Sequence, residues 1–167
     1  MAFFRADFTA DTIYDISIEG LARRGVKLLL ADLDNTLVPY QEALPNQTLM
    51  NWRDELYAYG ITLFILSNNR REHRPREFAV ALEVPFIGHA AKPWKKSFYK
   101  AMEEMHVTPE QTAIVGDQIF TDVLGGNRAG VTTILVKPIR LAGNPGRYLR
   151  YAVEIPFRLL SRKGDTL

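Results

Sequence analysis

Asp32 and Asp34 stand two residues apart in the string Asp32-Leu33-Asp34-Asn35-Thr36-Leu37. On a continuing strand both side chains would point to one face. Two carboxylates held that close repel each other unless a proton or a cation intervenes. A hard divalent ion such as Mg²⁺ prefers oxygen ligands of this kind. The same string also suits a turn in which an Asp side chain bonds its own backbone, so alone it leaves both readings open.

Three further strings carry chemistry-bearing residues. In Ser67-Asn68-Asn69 a hydroxyl and backbone N–H groups could hold phosphate oxygens, or simply cap a helix. Lys92-Pro93 offers a compact positive charge beside a fixed turn, or an ordinary solvated lysine. In Gly116-Asp117-Gln118-Ile119-Phe120-Thr121-Asp122 the first acid follows a permissive glycine and the second lies five residues on. Asp122 alone would also serve as good electrostatics for a helix start.

The segments in front of these strings must position them. Apolar, β-branched runs predict strands over 27–31, 61–66, 86–87, 112–115 and 132–136. Helices are expected between them, over about 47–59, 72–82, 94–105 and 121–129. Strands apolar on both faces and alternating with helices make a parallel sheet covered on both sides. The expected fold is therefore a Rossmann-like three-layer α/β sandwich around a central parallel sheet. Active sites of such sheets lie at the carboxyl ends of the strands, where strand order reverses. Each string above falls at such an end, and that shared placement argues for one site.

Length and composition agree. The 167 residues suit one domain, 1–167, with a catalytic core over about 25–137 and a C-terminal segment over 140–167. The chain has no cysteine, which excludes disulfides, thiolate zinc sites and a cysteine nucleophile. The N-terminus shows no secretory signal and no run is long enough to span a membrane, so a cytoplasmic protein is expected. The net charge of +2 is unevenly spread: residues 137–167 hold seven Lys and Arg against two acids. Such asymmetry can mark a surface that meets an anionic partner. His73, His89 and His106 lack metal-ligand spacing. Arg70, Arg71, Arg74 and Arg76 read as either a phosphate attractor or a solvated face, and Trp52 and Trp94 as packing residues.

Taken in order, D-x-D-x-T at Asp32, Asp34 and Thr36, then Ser67, then Lys92, then Gly116-Asp117 and Asp122 resemble the four motifs of the haloacid dehalogenase (HAD) phosphatases. The strings DLDNTLV, SNN, VPFI with AKP, and VGDQIFTDVLGGNRAG more narrowly resemble the YqeG family of HAD class IIIA phosphatases. The resemblance implies a Mg²⁺-dependent phosphatase working through an aspartyl-phosphate. Asp32 would be the nucleophile and Asp34 the acid and base. Asp32, the Asp34 carbonyl and Asp117 would hold the metal, with Asp122 as a supporting or water-mediated partner. Ser67, Lys92 and Asn68 would hold phosphate, and Thr36 would brace the first loop. The family is associated with phosphatidylglycerophosphate.

The spacing between motifs leaves no room for a large cap domain, so an open site is expected, or one lidded by a second subunit or the terminal segments. Residues 147–163 mix aromatic and aliphatic residues with five basic ones. They read either as a basic amphipathic surface for an anionic membrane, at its inner face, or as a helix packed on the core and interrupted by Pro156. No nucleic-acid partner is expected. The competing functions are a phosphatase of soluble esters, a receiver-like regulatory module, and a binding module working through its basic tail.

Overall fold

A computed structural model of the chain describes residues 2–71, 73–140 and 145–161. Six parallel strands form one sheet in the order β1-β6-β5-β2-β3-β4. They are β1 (Phe8–Ala10), β2 (Leu28–Ala31), β3 (Thr62–Leu66), β4 (Phe86–Ile87), β5 (Thr112–Gly116) and β6 (Thr132–Val136). The helices are α1 (Ile18–Arg23), α2 (Gln47–Ala58), α3 (His73–Leu82), α4 (Lys96–Glu104), α5 (Leu124–Ala129) and α6 (Pro145–Leu160).

Alternation along the strands builds the three layers. Leu29 and Ala31 of β2 join Leu63 and Ile65 of β3 in a core with Leu56 of α2 and Phe78 of α3. Leu28 and Leu30 join Phe64 and Leu66 in a second core with Phe98 and Met102 of α4. Both faces of the sheet are thus buried, as near-continuous apolar strands require.

Successive strands step outward from β2 to β3 and β4 on one side, and from β5 to β6 on the other. The order therefore reverses between β2 and β5, which pair in register from Leu28 with Thr112 to Ala31 with Val115. Asp32 and Asp117 are the residues that leave this central pair. The Asp32 backbone N–H donates to the Val115 carbonyl at 3.0 Å, so the ladder fixes where the first acid emerges. Residues 32–46 then run as turns, with one isolated bridge from Asp34 to Val38, and hold no inserted domain.

Four expectations change. A sixth strand, β1, pairs with β6, from Phe8 with Ile134 to Ala10 with Val136. Its three half-buried residues are too short to show periodicity. β2 stops at Ala31, so Asp34 stands on a loop rather than on a continuing strand. The C-terminal helix runs through Pro156 instead of breaking there. Proline forfeits one helical hydrogen bond and crowds the carbonyl four residues back. Anchors at Glu154, Phe157, Arg158 and Ser161 hold α6 in place on both sides of that point. Trp52 is buried as expected, whereas Trp94 is exposed with the Arg128 guanidinium 5.8 Å from its ring centre. The expected helix start at residue 72 and the tail over 141–144 and 162–167 lie outside the described residues.

Candidate active site

One cavity of about 170 Å³ opens at the carboxyl edge of the sheet, lined by Asp32, Asp34, Ser67, Asn68, Asn69, Lys92, Gln118 and Thr121. Loops after β2, β3, β4 and β5 all contribute, which is what the strand-end argument requires.

Lys92 is the centre of its electrostatics. Its side chain is fully buried, and its ammonium lies 2.8 Å from Asp32 Oδ1 and 2.6 Å from Asp122 Oδ1. Burial by itself lowers a lysine's pKa, but the Asp122 and Asp32 charges and their hydrogen bonds outweigh it and raise it. The Asp32 carboxyl is pushed up to about 6, by burial first. Lys92 opposes that rise, while Asp122 and Asp34 add to it. A buried carboxylate that crowds other carboxylates is held in reserve until more positive charge arrives.

Asp32, Asp117 and Asp122 each bring a carboxylate oxygen within 4.8 Å of the others. A cluster of three oxygen donors suits a hard divalent cation. Asp122, expected as a supporting or water-mediated partner, lies in this cluster. The local fold explains how. Residues Ile119–Val123 form a π-helical turn ahead of α5, and Asp122 Oδ2 accepts from the Gln118 N–H at 3.1 Å. A methyl group at Gly116 would overlap the Asp122 carboxyl, so the missing Cβ is what lets the acid fold back over the strand end. Thr36 Oγ1 donates to Asp117 Oδ1 at 3.5 Å, a long contact that ties the first loop to the fourth.

Ser67 lines the cavity, and its Oγ accepts from the Asn69 N–H at 3.1 Å. Asn68 also lines it, but its side chain is committed elsewhere. Asn68 Nδ2 donates to the Lys92 carbonyl at 2.9 Å and its Oδ1 accepts from the Lys92 N–H at 2.8 Å. This side chain thereby positions the lysine.

The sequence reading missed two partners of Asp34. Asn69 Nδ2 donates to Asp34 Oδ2 at 2.8 Å, and Arg74 Nε donates to Asp34 Oδ1 at 2.7 Å. Arg74 also donates to the carbonyls of Glu42 and Pro39, at 2.6 and 3.3 Å, and packs over the Tyr40 ring. The basic run of 70–76 hides this residue, since Arg70, Arg71 and Arg76 are exposed and only Arg74 turns inward. The sequence offered the terminal segments as a lid but named no contact between tail and site. The Arg158 guanidinium of α6 donates to the Asp117 carbonyl, and Glu154 Oε1 accepts from the Phe120 N–H at 3.3 Å.

A family model described as HAD-hydrolase-like matches residues 89–138. Over 165 residues the chain is 41% identical to a Bacillus subtilis (strain 168) protein named probable phosphatase YqeG, covering 97% of this chain and 94% of that relative. The chain belongs to the YqeG family of HAD phosphatases. This YqeG-family chain is also 27% identical over 138 residues to phosphatidylglycerophosphate phosphatase 1 of Arabidopsis thaliana, of whose length it spans 40%. It is 28% identical over 128 residues to a glyceraldehyde 3-phosphate phosphatase of Pyrococcus furiosus, of which it spans 52%. In structure it resembles the cobalt-bound deoxy-D-mannose-octulosonate 8-phosphate phosphatase of Haemophilus influenzae, with a TM-score of 0.52 at 20% identity, over 69% of this chain and 70% of the other. A YqeG-family protein is a phosphatase, so the receiver-like and pure binding readings fall away.

Proposed function

We propose that this phosphatase hydrolyses phosphomonoesters in two steps through an aspartyl-phosphate on Asp32, with Mg²⁺ as its metal and phosphatidylglycerophosphate as its leading substrate. The observation that carries this reading is the convergence of Asp32, Asp34, Ser67 and Lys92 on one small polar cavity beside a cluster of three carboxylates.

In the first step an Asp32 oxygen bonds to phosphorus and the ester P–O bond breaks. Asp34 gives its proton to the leaving oxygen. In the second step Asp34 takes a proton from water, whose oxygen bonds to phosphorus. The Asp32–phosphorus bond breaks and inorganic phosphate leaves. The Asp32 and Asp117 carboxylates and the Asp34 carbonyl, with Asp122 beside them, would hold Mg²⁺, which offsets the repulsion between an anionic nucleophile and an anionic phosphate. An ammonium has three N–H donors. Lys92 spends two on Asp32 and Asp122, and the third suits a non-bridging phosphate oxygen, with the Ser67 hydroxyl at another. Asn68 holds the lysine and Thr36 braces Asp117. The chain acts as one catalytic unit.

Size and kinship support the lipid as the leading substrate. A cavity of about 170 Å³ cannot take in a diacyl lipid, so the acyl chains of such a substrate would stay outside. That suits a headgroup presented at a lipid surface, and two of the longer relatives are named for phosphatidylglycerophosphate. Relatives of equal similarity are named for a small soluble ester, glyceraldehyde 3-phosphate. The deciding experiment compares Mg²⁺-dependent phosphate release from phosphatidylglycerophosphate in mixed micelles with release from soluble esters, using Asp32→Asn as control. Faster lipid turnover that vanishes in the variant supports the reading. Preference for a soluble ester would move the protein to that substrate class, and release that survives in the variant would overturn the assignment of Asp32.

A further inference from the structure

Helix α6 is mounted with polar anchors inward and an apolar face outward. Glu154 and Ser161 are buried at 1% and 6% exposure. Leu149, Val153, Ile155 and Leu159 are exposed at 70%, 52%, 46% and 82%. A helix of a globular protein ordinarily does the reverse. The inner side is firmly attached. Ser161 Oγ accepts from the Ala6 N–H at 3.1 Å, Glu154 accepts from the Phe120 N–H, and Phe157 meets the rings of Phe4 and Phe120 at 5.2 and 5.5 Å. The outward face is therefore not the accident of a loosely placed tail.

Charge selects what covers it. Residues 146–163 hold Arg147, Arg150, Arg162 and Lys163 besides Arg158, which turns inward to the Asp117 carbonyl and pairs with the segment's one acid, the buried Glu154. Pairing two copies of α6 would bring two basic segments together. An anionic lipid surface instead offers apolar chains to the leucines and negative headgroups to the basic residues. Among the described residues no helix is long and apolar enough to cross a membrane, so the contact is one of lying on the surface.

The helix also stands beside the cavity. Gln118 and Thr121 line the cavity, and Phe120 between them packs against Phe157 of α6. We propose that α6 is a docking helix for an anionic bilayer, its outward face Leu149, Val153, Ile155 and Leu159 seated at the lipid surface next to the mouth of the active site. This deepens the lipid-phosphate reading and rests on it for its purpose. Vesicles that contain no phosphomonoester test the docking separately from hydrolysis.

The test is co-sedimentation of the full chain with phosphatidylglycerol/phosphatidylcholine vesicles and with phosphatidylcholine vesicles alone. Sedimentation with the anionic vesicles is expected, weakening by about tenfold or more between 0.1 and 0.5 M NaCl. A triple variant, Leu149→Glu, Val153→Glu and Leu159→Glu, should lose binding more than about tenfold with an unchanged melting midpoint. A protein that stays in the supernatant at low salt overturns the proposal, as does a correctly folded triple variant that still sediments. A dimer of the full chain that the triple variant dissociates would assign the face to a second copy instead. Should the triple variant fail to fold, Leu149→Trp decides. A blue-shifted emission on adding anionic vesicles supports docking, and an unmoved emission refutes it.

Discussion

Arg74 Nε lies 2.7 Å from Asp34 Oδ1, across a separation of forty residues, and both side chains are largely out of solvent. The same guanidinium holds the Pro39 and Glu42 carbonyls. One residue at the start of α3 thus fixes both the carboxylate and the loop that follows it. With Asn69 on the second oxygen, Asp34 is held at both ends.

On the proposed mechanism Asp34 protonates the leaving group, a role that matters most when the leaving alcohol is a poor one. Arg74→Met should therefore lower kcat on an alkyl phosphate by roughly 10- to 100-fold, with a far smaller loss on an aryl phosphate whose leaving group needs no proton. Arg74→Lys should recover part of the difference, since it keeps the charge but not the planar fork. Steady-state kinetics over a series of leaving groups checks this. An equal loss on every ester would reduce Arg74 to a structural tie.

Asp32 sets a pH dependence of stability. Its folded pKa, about 6, is raised above the ordinary value of 3.8. In that interval the folded state binds more protons than the unfolded one, so stability falls as pH rises from about 4 through 6. A cation at the cluster of Asp32, Asp117 and Asp122 reverses the penalty by favouring the ionised form. Thermal melts with and without Mg²⁺ should show a larger stabilisation at pH 7.5 than at pH 5. Asp32→Asn should flatten the metal-free pH dependence. Equal Mg²⁺ effects at both pH values would mean that the ion binds elsewhere.

Much of this site was legible because its parts obey local rules. Apolar runs marked the strands, and Asp32, Ser67, Lys92 and Asp117 sit at or just past their ends, where a parallel sheet gathers its chemistry. What stayed hidden depends on distance in sequence or on shortness. β1 is three residues long and gains its place only through pairing with β6. Arg74 looks like its exposed neighbours until the loop after β2 folds against it. Asn68 and Ser67 are adjacent in a string that suits phosphate, but only the fold reveals that the Asn68 amide is taken up by the Lys92 backbone. The link from Arg158 to the Asp117 carbonyl spans forty-one residues and has no local signature.

Lys92 should be a keystone of stability as well as of catalysis. Its buried ammonium is shared by Asp32 and Asp122. Lys92→Met keeps the length of the side chain and removes the charge, leaving two buried acids without their common partner. Removing one member of a buried ion pair costs about 3–5 kcal/mol. Urea unfolding without metal at pH 7.5 should show a loss of that order, smaller at pH 5, where Asp32 takes a proton in place of the lysine's charge. An unchanged midpoint at pH 7.5 would show that water, not Lys92, compensates the two acids.

Gly116→Ala addresses how Asp122 reaches the acid cluster. The added methyl group would overlap the Asp122 carboxyl, and the strand backbone at Gly116 is held by its pairing with Leu135 of β6. The acid must therefore swing away, giving up its hydrogen bonds to the Gln118 N–H and to Lys92. Forcing extra volume into a packed interior costs about 1–3 kcal/mol, so the fold should survive. The Mg²⁺ concentration for half-maximal activity should rise by roughly tenfold or more, as happens when a partner of a metal site is displaced. Titrating activity against Mg²⁺ in the folded variant checks this. An unchanged Mg²⁺ requirement would place Asp122 outside the metal's reach and leave it solely as the counter-charge of Lys92.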